Sequence, residues 1–355
     1  MNGIVLIAAT VLIMATSTGI KHTNTDAAFT TNYPFPTLSS YGLFTGPMKE
    51  HQPAERVIPY TLPTPLFSDY AQKLRFVYIP PGKQALYHDK DVFQFPVGTI
   101  LVKTFYYPND FRYPDKERKI IETRLLIHEE DGWKAYPYIW NDEQTEAYLD
   151  VAGDTKPIQW THTDGKKIKI NYSIPNANQC KSCHESYGQM TPIGPTARQL
   201  NSVFSYRGEQ KNQLTYWSEQ ELLKGLPKDE STIPSIAVWN DAVHYSLNDR
   251  ARAYLDINCA HCHKPGGQAS TSGLNLSIYE TQQNLLGIYK APVAAGKGSG
   301  KMKYSIEPGN PDMSILLYRM ASTDPGIMMP EMGRQLTDKE GVALIREWIS
   351  QMEKK

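Results

Sequence analysis

The chain has four cysteines, and all of them fall in two copies of one five-residue pattern: Cys180-Lys181-Ser182-Cys183-His184 and Cys259-Ala260-His261-Cys262-His263. C-x-x-C-H is the attachment motif of c-type haem. Two thiols about one helical turn apart can form thioethers with the two vinyl groups of one porphyrin, and the histidine that follows is then placed over the ring face to bind the iron. The spacing therefore marks Cys180, Cys183, Cys259 and Cys262 as attachment points and His184 and His263 as iron ligands, for two covalently bound c-type haems. Other uses of the cysteines fit worse. A disulfide across a two-residue loop is a redox site more than a staple. A zinc ribbon sets its two knuckles about 15 to 20 residues apart, several times closer than these. With 9 histidines in 355 residues, chance would place one after both pairs with odds of roughly 0.025 squared.

The remaining composition narrows the class. Lys plus Arg and Asp plus Glu are both 37, and a chain without net charge lacks the basic face that a nucleic-acid binder needs. Residues Ile4 to Ala15 are almost uninterrupted apolar, with Thr16, Ser17, Thr18 and Gly19 after them. That run is too short to span a bilayer but has the length of a signal-peptide core, so residues 1–20 are expected to be an export signal, leaving no transmembrane segment after its removal. The n-region carries no Lys or Arg.

Residues 21–56 are polar and Pro-rich and read as an extended lead-in. Residues 57–173 are β-like: Thr99 to Tyr107, Ile120 to His128, Trp133 to Trp140 and Lys167 to Tyr172 are rich in β-branched and aromatic residues. Glu129-Glu130-Asp131-Gly132 reads as a hairpin loop between two of them. Beyond Pro175 helical signals take over. Ser218 with Glu221 and Thr337 with Glu340 look like capping boxes, Ala251 to Ile257 like a short amphipathic helix, and Asn310-Pro311-Asp312 like a helix start. Val342, Ile345, Ile349 and Met352 share one face of a final helix. The expected fold class is α+β, an N-terminal β-sandwich-like domain followed by mainly α-helical cytochrome c-type haem domains. Residues 174–245 would form the haem 1 segment and 246–355 a haem 2 domain.

A second axial ligand for haem 2 is sought among Met313, Met320, Met328, Met329 and Met332. Met313 and Met320 lie on the helical pattern. Met329 precedes Pro330 in an extended loop before the last helix and is the favoured ligand, with Met328 and Met332 as alternatives. For haem 1 no methionine occupies the corresponding window. Met190, His244, a β-domain histidine (His88, His128 or His162) or an open site all remain. Glu122, Arg124 and Asp142 are expected to make structural ion pairs.

These residues also carry a resemblance. Pro65-Leu66-Phe67-Ser68-Asp69, Phe95-Pro96-x-Gly98-Thr99, Val102-Lys103-Thr104-Phe105, Glu122-Thr123-Arg124-Leu125-Leu126, Pro192-Ile193-Gly194-Pro195, Arg198-Gln199-Leu200-Asn201 and Tyr254-Leu255-Asp256 resemble a family of bacterial dihaem c-type cytochromes across nearly the whole mature chain. The β segment is similar to regions fused to quinoprotein sugar-dehydrogenase-like domains, and the C-terminal part to class I cytochrome c. The resemblance implies a periplasmic redox protein and supports His263 with Met329 as the axial pair of haem 2. The resulting expectation is one-electron transfer between redox partner proteins, a dehydrogenase or another cytochrome. The alternatives are a dihaem redox enzyme, peroxidase-like or acting on a small molecule at an open haem 1, and an electron-accepting subunit of a dehydrogenase.

Overall fold

A computed structural model describes residues 33–354; the expected export signal lies outside them. The centre of the molecule is one antiparallel sheet whose six strands pair in sequence order: β1 (Val57–Pro59), β2 (Gln72–Tyr78), β3 (Ile100–Pro108), β4 (Arg118–Glu129), β5 (Gly132–Trp140) and β6 (Ala147–Leu149). Alternation of side chains sends successive residues to opposite faces. Phe76, Tyr78, Ile100, Val102, Leu125, Tyr138 and Trp140 form one face, and the lead-in folds over it with Leu38, Tyr41 and Leu43 fully buried. Buried aromatics of this size each contribute about 2–3 kcal/mol through area removed from water.

The opposite face has three zones. At one end Val77, Ile79 and Leu101 pack against Leu200, Leu214 and Trp217 of the following segment. At the other, Phe105, Tyr107 and Ile121 pack beneath a two-stranded ribbon, β7 (Asp154–Thr161) with β8 (Lys167–Ile174). A β-bulge where the β3–β4 register shifts between Phe105 and Tyr106 places Ile121 and Glu122 side by side toward that ribbon. The middle zone is polar and faces a cavity.

The expected fold class is corrected in both halves. The N-terminal part is a single sheet with a ribbon at one end, not a sandwich of two sheets. The chain after it does not form mainly α-helical cytochrome domains: helix makes up only 21% of the structure. Six short helices stand in long loops: α1 (Ala177–His184), α2 (Ala197–Leu200), α3 (Gln213–Glu219), α4 (Leu247–Asn258), α5 (Ile315–Ala321) and α6 (Lys339–Ser350). The amphipathic stretches that form these helices are short, twelve residues at most, and helices of that length hold only where a neighbouring wall packs against them. Turn hydrogen bonds satisfy the backbone instead, as through 261–314.

Local signals also moved. Ser218 lies inside α3, which is capped by Asn212, and Leu223-Lys224 pairs in parallel with Ala85-Leu86. The final helix is capped by Asp338, one residue past Thr337. It crosses α4 closely, and Gly341 is required there because a Cβ would fall onto the Tyr254 ring. No helix among the described residues is long and apolar enough to cross a membrane.

His51 sits within the lead-in core, its Nε2 2.9 Å from Thr104 Oγ1, and burial pushes it down to about 4 from 6.5. As pH falls the unfolded chain therefore takes up this proton first. The stability contributed by neutral His51 is full above about pH 6.5 and declines toward pH 4, by up to about 3 kcal/mol. Urea midpoints should drop between pH 7 and pH 4.5, and His51→Gln should show a smaller drop. Equal drops would place the acid sensitivity elsewhere.

Candidate functional site

Each cysteine motif is held by its own local device. The first is carried by α1, whose start is a reciprocal cap: Asn176 Oδ1 accepts from Gln179 N and Gln179 Oε1 from Asn176 N, both at 2.9 Å. A tight hairpin then pairs Glu185-Ser186 with Gln189-Met190 and returns the chain to the helix end. There His184 Nδ1 donates to Thr191 O at 2.9 Å. The second motif follows α4, with Cys259 as the C-cap residue. His263 Nδ1 lies 3.0 Å from Ser272 Oγ, and that hydroxyl donates to Ala269 O at 2.7 Å. In both rings the proton is thereby fixed on Nδ1, and Nε2 keeps a lone pair with no protein partner among the described residues. Burial pushes His184 down to about 3 and His263 to about 4, so both are neutral at physiological pH.

Both motifs open on one cavity of ≈ 680 Å³ between the sheet and the helical segments. Cys180, Cys183, His184, Cys259, His263 and Met329 all line it. Cys262 belongs to the same turn but is not on the wall. All four cysteines are free thiols in the polypeptide, and burial raises them, Cys259 to about 12 and Cys262 to about 11. No three His, Cys, Asp or Glu side chains among the described residues converge to hold a bare metal ion. The donor set therefore fits a group that brings most of its own coordination: paired neutral thiols and one imidazole lone pair per motif.

The walls are tied to one another by buried polar contacts. Arg198 Nε meets Asp256 Oδ2 at 2.9 Å, joining α2 to α4. Asn258 Oδ1 accepts from Phe67 N at 2.8 Å. The Asp69 carboxylate accepts from Gln335 N and Leu336 N at 2.8 and 2.7 Å, clamping the loop that bears Met329. Arg334 Nη2 steadies that loop through Met329 O at 3.1 Å and Ser322 O at 2.8 Å. The two motif loops also touch: Tyr187 N donates to Gly266 O at 2.8 Å.

Met329 and Met332 reach the cavity, as does Met320, whereas Met328 and Met313 do not. None of the residues considered for the second position of haem 1 lies on its wall. Met190 is committed to the hairpin. His244 is exposed and bonded to Asp241. His88 holds backbone amides of its own turn. His128 is bonded to Phe95 O and stacked on Trp133. His162 packs against Tyr70 and Phe111. Sequence reasoning missed His261, the middle histidine of the second motif, which is on the wall and which burial pushes down to about 4. It also missed Arg75 and Lys103, two cations on the sheet side of the cavity. Glu122 and Arg124 do form an ion pair, with 2.6 and 2.8 Å contacts, and Tyr172 donates to Glu122 at 2.7 Å. Asp142 only approaches Lys119, at 3.7 Å on the surface.

No family model, curated protein or solved structure matches the chain.

Replacing Arg198 by Met leaves Asp256 buried without its counter-ion and should cost about 3–5 kcal/mol. Adding Asp256→Asn should recover part of that loss. Urea unfolding of the two variants checks this, and a loss below about 1 kcal/mol for Arg198→Met would show that the pair does not hold α2 against α4.

Proposed function

We propose that this chain is a periplasmic dihaem c-type cytochrome that passes electrons one at a time between redox partner proteins, a dehydrogenase or another cytochrome. One observation carries the reading. Both C-x-x-C-H motifs face a common cavity, and each places a neutral histidine there with Nδ1 bonded to the protein and Nε2 unused. That is the arrangement an axial iron ligand needs, since the Nδ1 partner fixes both tautomer and ring orientation.

In this reading Cys180 and Cys183 attach one haem and His184 ligates its iron. Cys259 and Cys262 would attach the other, and His263 and Met329, both on the cavity wall, would hold its iron. Each bound haem supplies an iron that cycles between ferric and ferrous. The chain's own residues hold it and shut water out. Each neutral cysteine thiol would be the group that joins to a vinyl carbon of the haem, and burial keeps all four thiols protonated for it. Methionine ligation raises a haem's potential relative to two histidines, making haem 2 the exit toward an acceptor.

A second reading, a dihaem redox enzyme with an exchangeable position at haem 1, rests on the placement of Met190, His244, His88, His128 and His162, all of which lie off the cavity wall. His261 is the wall histidine that could close that position.

Protein matured in a host with haem-attachment machinery should contain two haems per chain by pyridine haemochrome and no thiols titratable after denaturation. The haem-free chain should show four. Absence of c-type bands from matured protein would end the reading. Carbon monoxide added to the reduced protein should leave the spectrum unchanged for a carrier, and shift about half the haem for the enzyme. Met329→Ala should abolish the charge-transfer band of methionine-ligated ferric haem, while Met328→Ala keeps it. Loss of the band with Met332→Ala alone would move the ligand to Met332.

A further inference from the structure

The sheet face between the two apolar zones carries a rank of cations. Arg75 on β2 is paired in register with Lys103 on β3, and Lys103 with Arg124 on β4. The next residue across, Pro137 on β5, ends the row. All three basic side chains line the cavity. Like charges directly opposite on neighbouring strands destabilise a sheet, and buried charges are costly unless paired. One carboxylate answers them: Glu122 grips Arg124 through two hydrogen bonds. Lys103 Nζ rests 4.8 Å over the Phe105 ring and makes no ion pair or hydrogen bond among the described residues. Arg75 is 7% exposed and likewise has no acidic partner there, only Tyr60 nearby. Lys73, next on the same face of β2, is bonded to Leu66 O behind the row, and burial, with Arg75 and Arg124 nearby, pushes it down to about 7. α1, which carries the first motif, packs on β5, the strand paired with Arg124 through Pro137, so the row lies on the first motif's side of the cavity.

We propose that Arg75, Lys103 and Arg124 form a carboxylate-binding row, and that the carboxylates it receives are those of the group attached at Cys180 and Cys183. This rests on the haem reading above, since a haem brings two propionates. It assigns the β-domain a direct part in the site: the sheet supplies the counter-charge for a prosthetic group that the helical segments hold covalently. A carboxylate seated between two strands satisfies both cations at once and removes the repulsion that the register imposes. Guanidinium and ammonium donors give such contacts their strength.

The test is a redox titration of matured wild type, Lys103→Met, Lys103→Arg and the exposed control Lys166→Met. A cation beside the propionates favours the ferrous state, so Lys103→Met should lower the potential of one haem and leave the other in place. Lys103→Arg should restore it and Lys166→Met should change nothing. In the haem-free chain Lys103→Met removes a side chain that no protein group pairs among the described residues, so the unfolding midpoint of that chain should not fall. Two haems with both potentials unmoved in Lys103→Met would overturn the carboxylate row and leave the cytochrome reading intact. Haem-free wild type would overturn both. Titration with succinate separates the two sources of carboxylate. A spectral response of wild type to succinate that Lys103→Met loses would assign the row to a free anion instead of the attached group, and no response supports the attached group.

Discussion

A cavity of this size stays open because its walls are tied to one another around the rim, not packed against each other across the middle. The ties are few, buried and polar. Arg198 and Asp256 join the segment after the first motif to the helix before the second. Phe67 N and Asn258 join the sheet to the end of that helix. Asp69 takes two backbone amides of the loop that presents Met329, and Tyr254 donates to the cap of the last helix at Asp338, 2.9 Å away. Each such bond contributes only about 1–3 kcal/mol, but leaving one partner buried alone costs more than the bond is worth. The rim is therefore specified sharply, although the interior is left empty of protein.

Several rim residues stand in short runs that the sequence also sets apart. Asp69 closes the Pro65 to Asp69 run, Arg198 opens Arg198 to Asn201, and Tyr254 and Asp256 stand in the run before the second motif. Pro192 to Pro195 line the cavity beside His184. Motifs that look in the sequence like separate short islands are in the structure the two sides of single contacts. The electrostatics follow the same division. The rim pairs its charges, while the cavity face of the sheet leaves Arg75 and Lys103 unanswered by protein.

Much of the sheet was legible. Strands over 100–108, 118–129 and 132–140 coincide with apolar and β-branched runs, and Glu129 pairs with Gly132 across the turn read at that point. The helix ahead of Cys259 and the last helix were legible for the same reason, a one-sided apolar pattern. What was missed depends on partners distant in sequence. Leu223 joins a strand because Ala85 offers it a parallel edge, and the capping box at Ser218 could not register that. The helical domains expected after residue 174 overestimated short amphipathic stretches, none of which runs beyond twelve residues. Distal-ligand histidines were chosen by position along the chain, but His128 and His162 are held in aromatic contacts of the sheet domain. Arg75, Lys103 and Arg124 come one to a strand, and no reading of a single strand shows that register lines them up. The four cysteines and two histidines were singled out by spacing alone, and five of the six line one cavity.

The position of the cavity also bears on how such a protein is made. Its walls are drawn from Tyr60 at one end to Val342 at the other, so nearly the whole chain must be present before the space is enclosed. If the two motifs carry haem as proposed, neither could be loaded through the finished wall. Attachment would have to precede closure, and the last helix, docking on α4 through Gly341 and Tyr254, would act as the door.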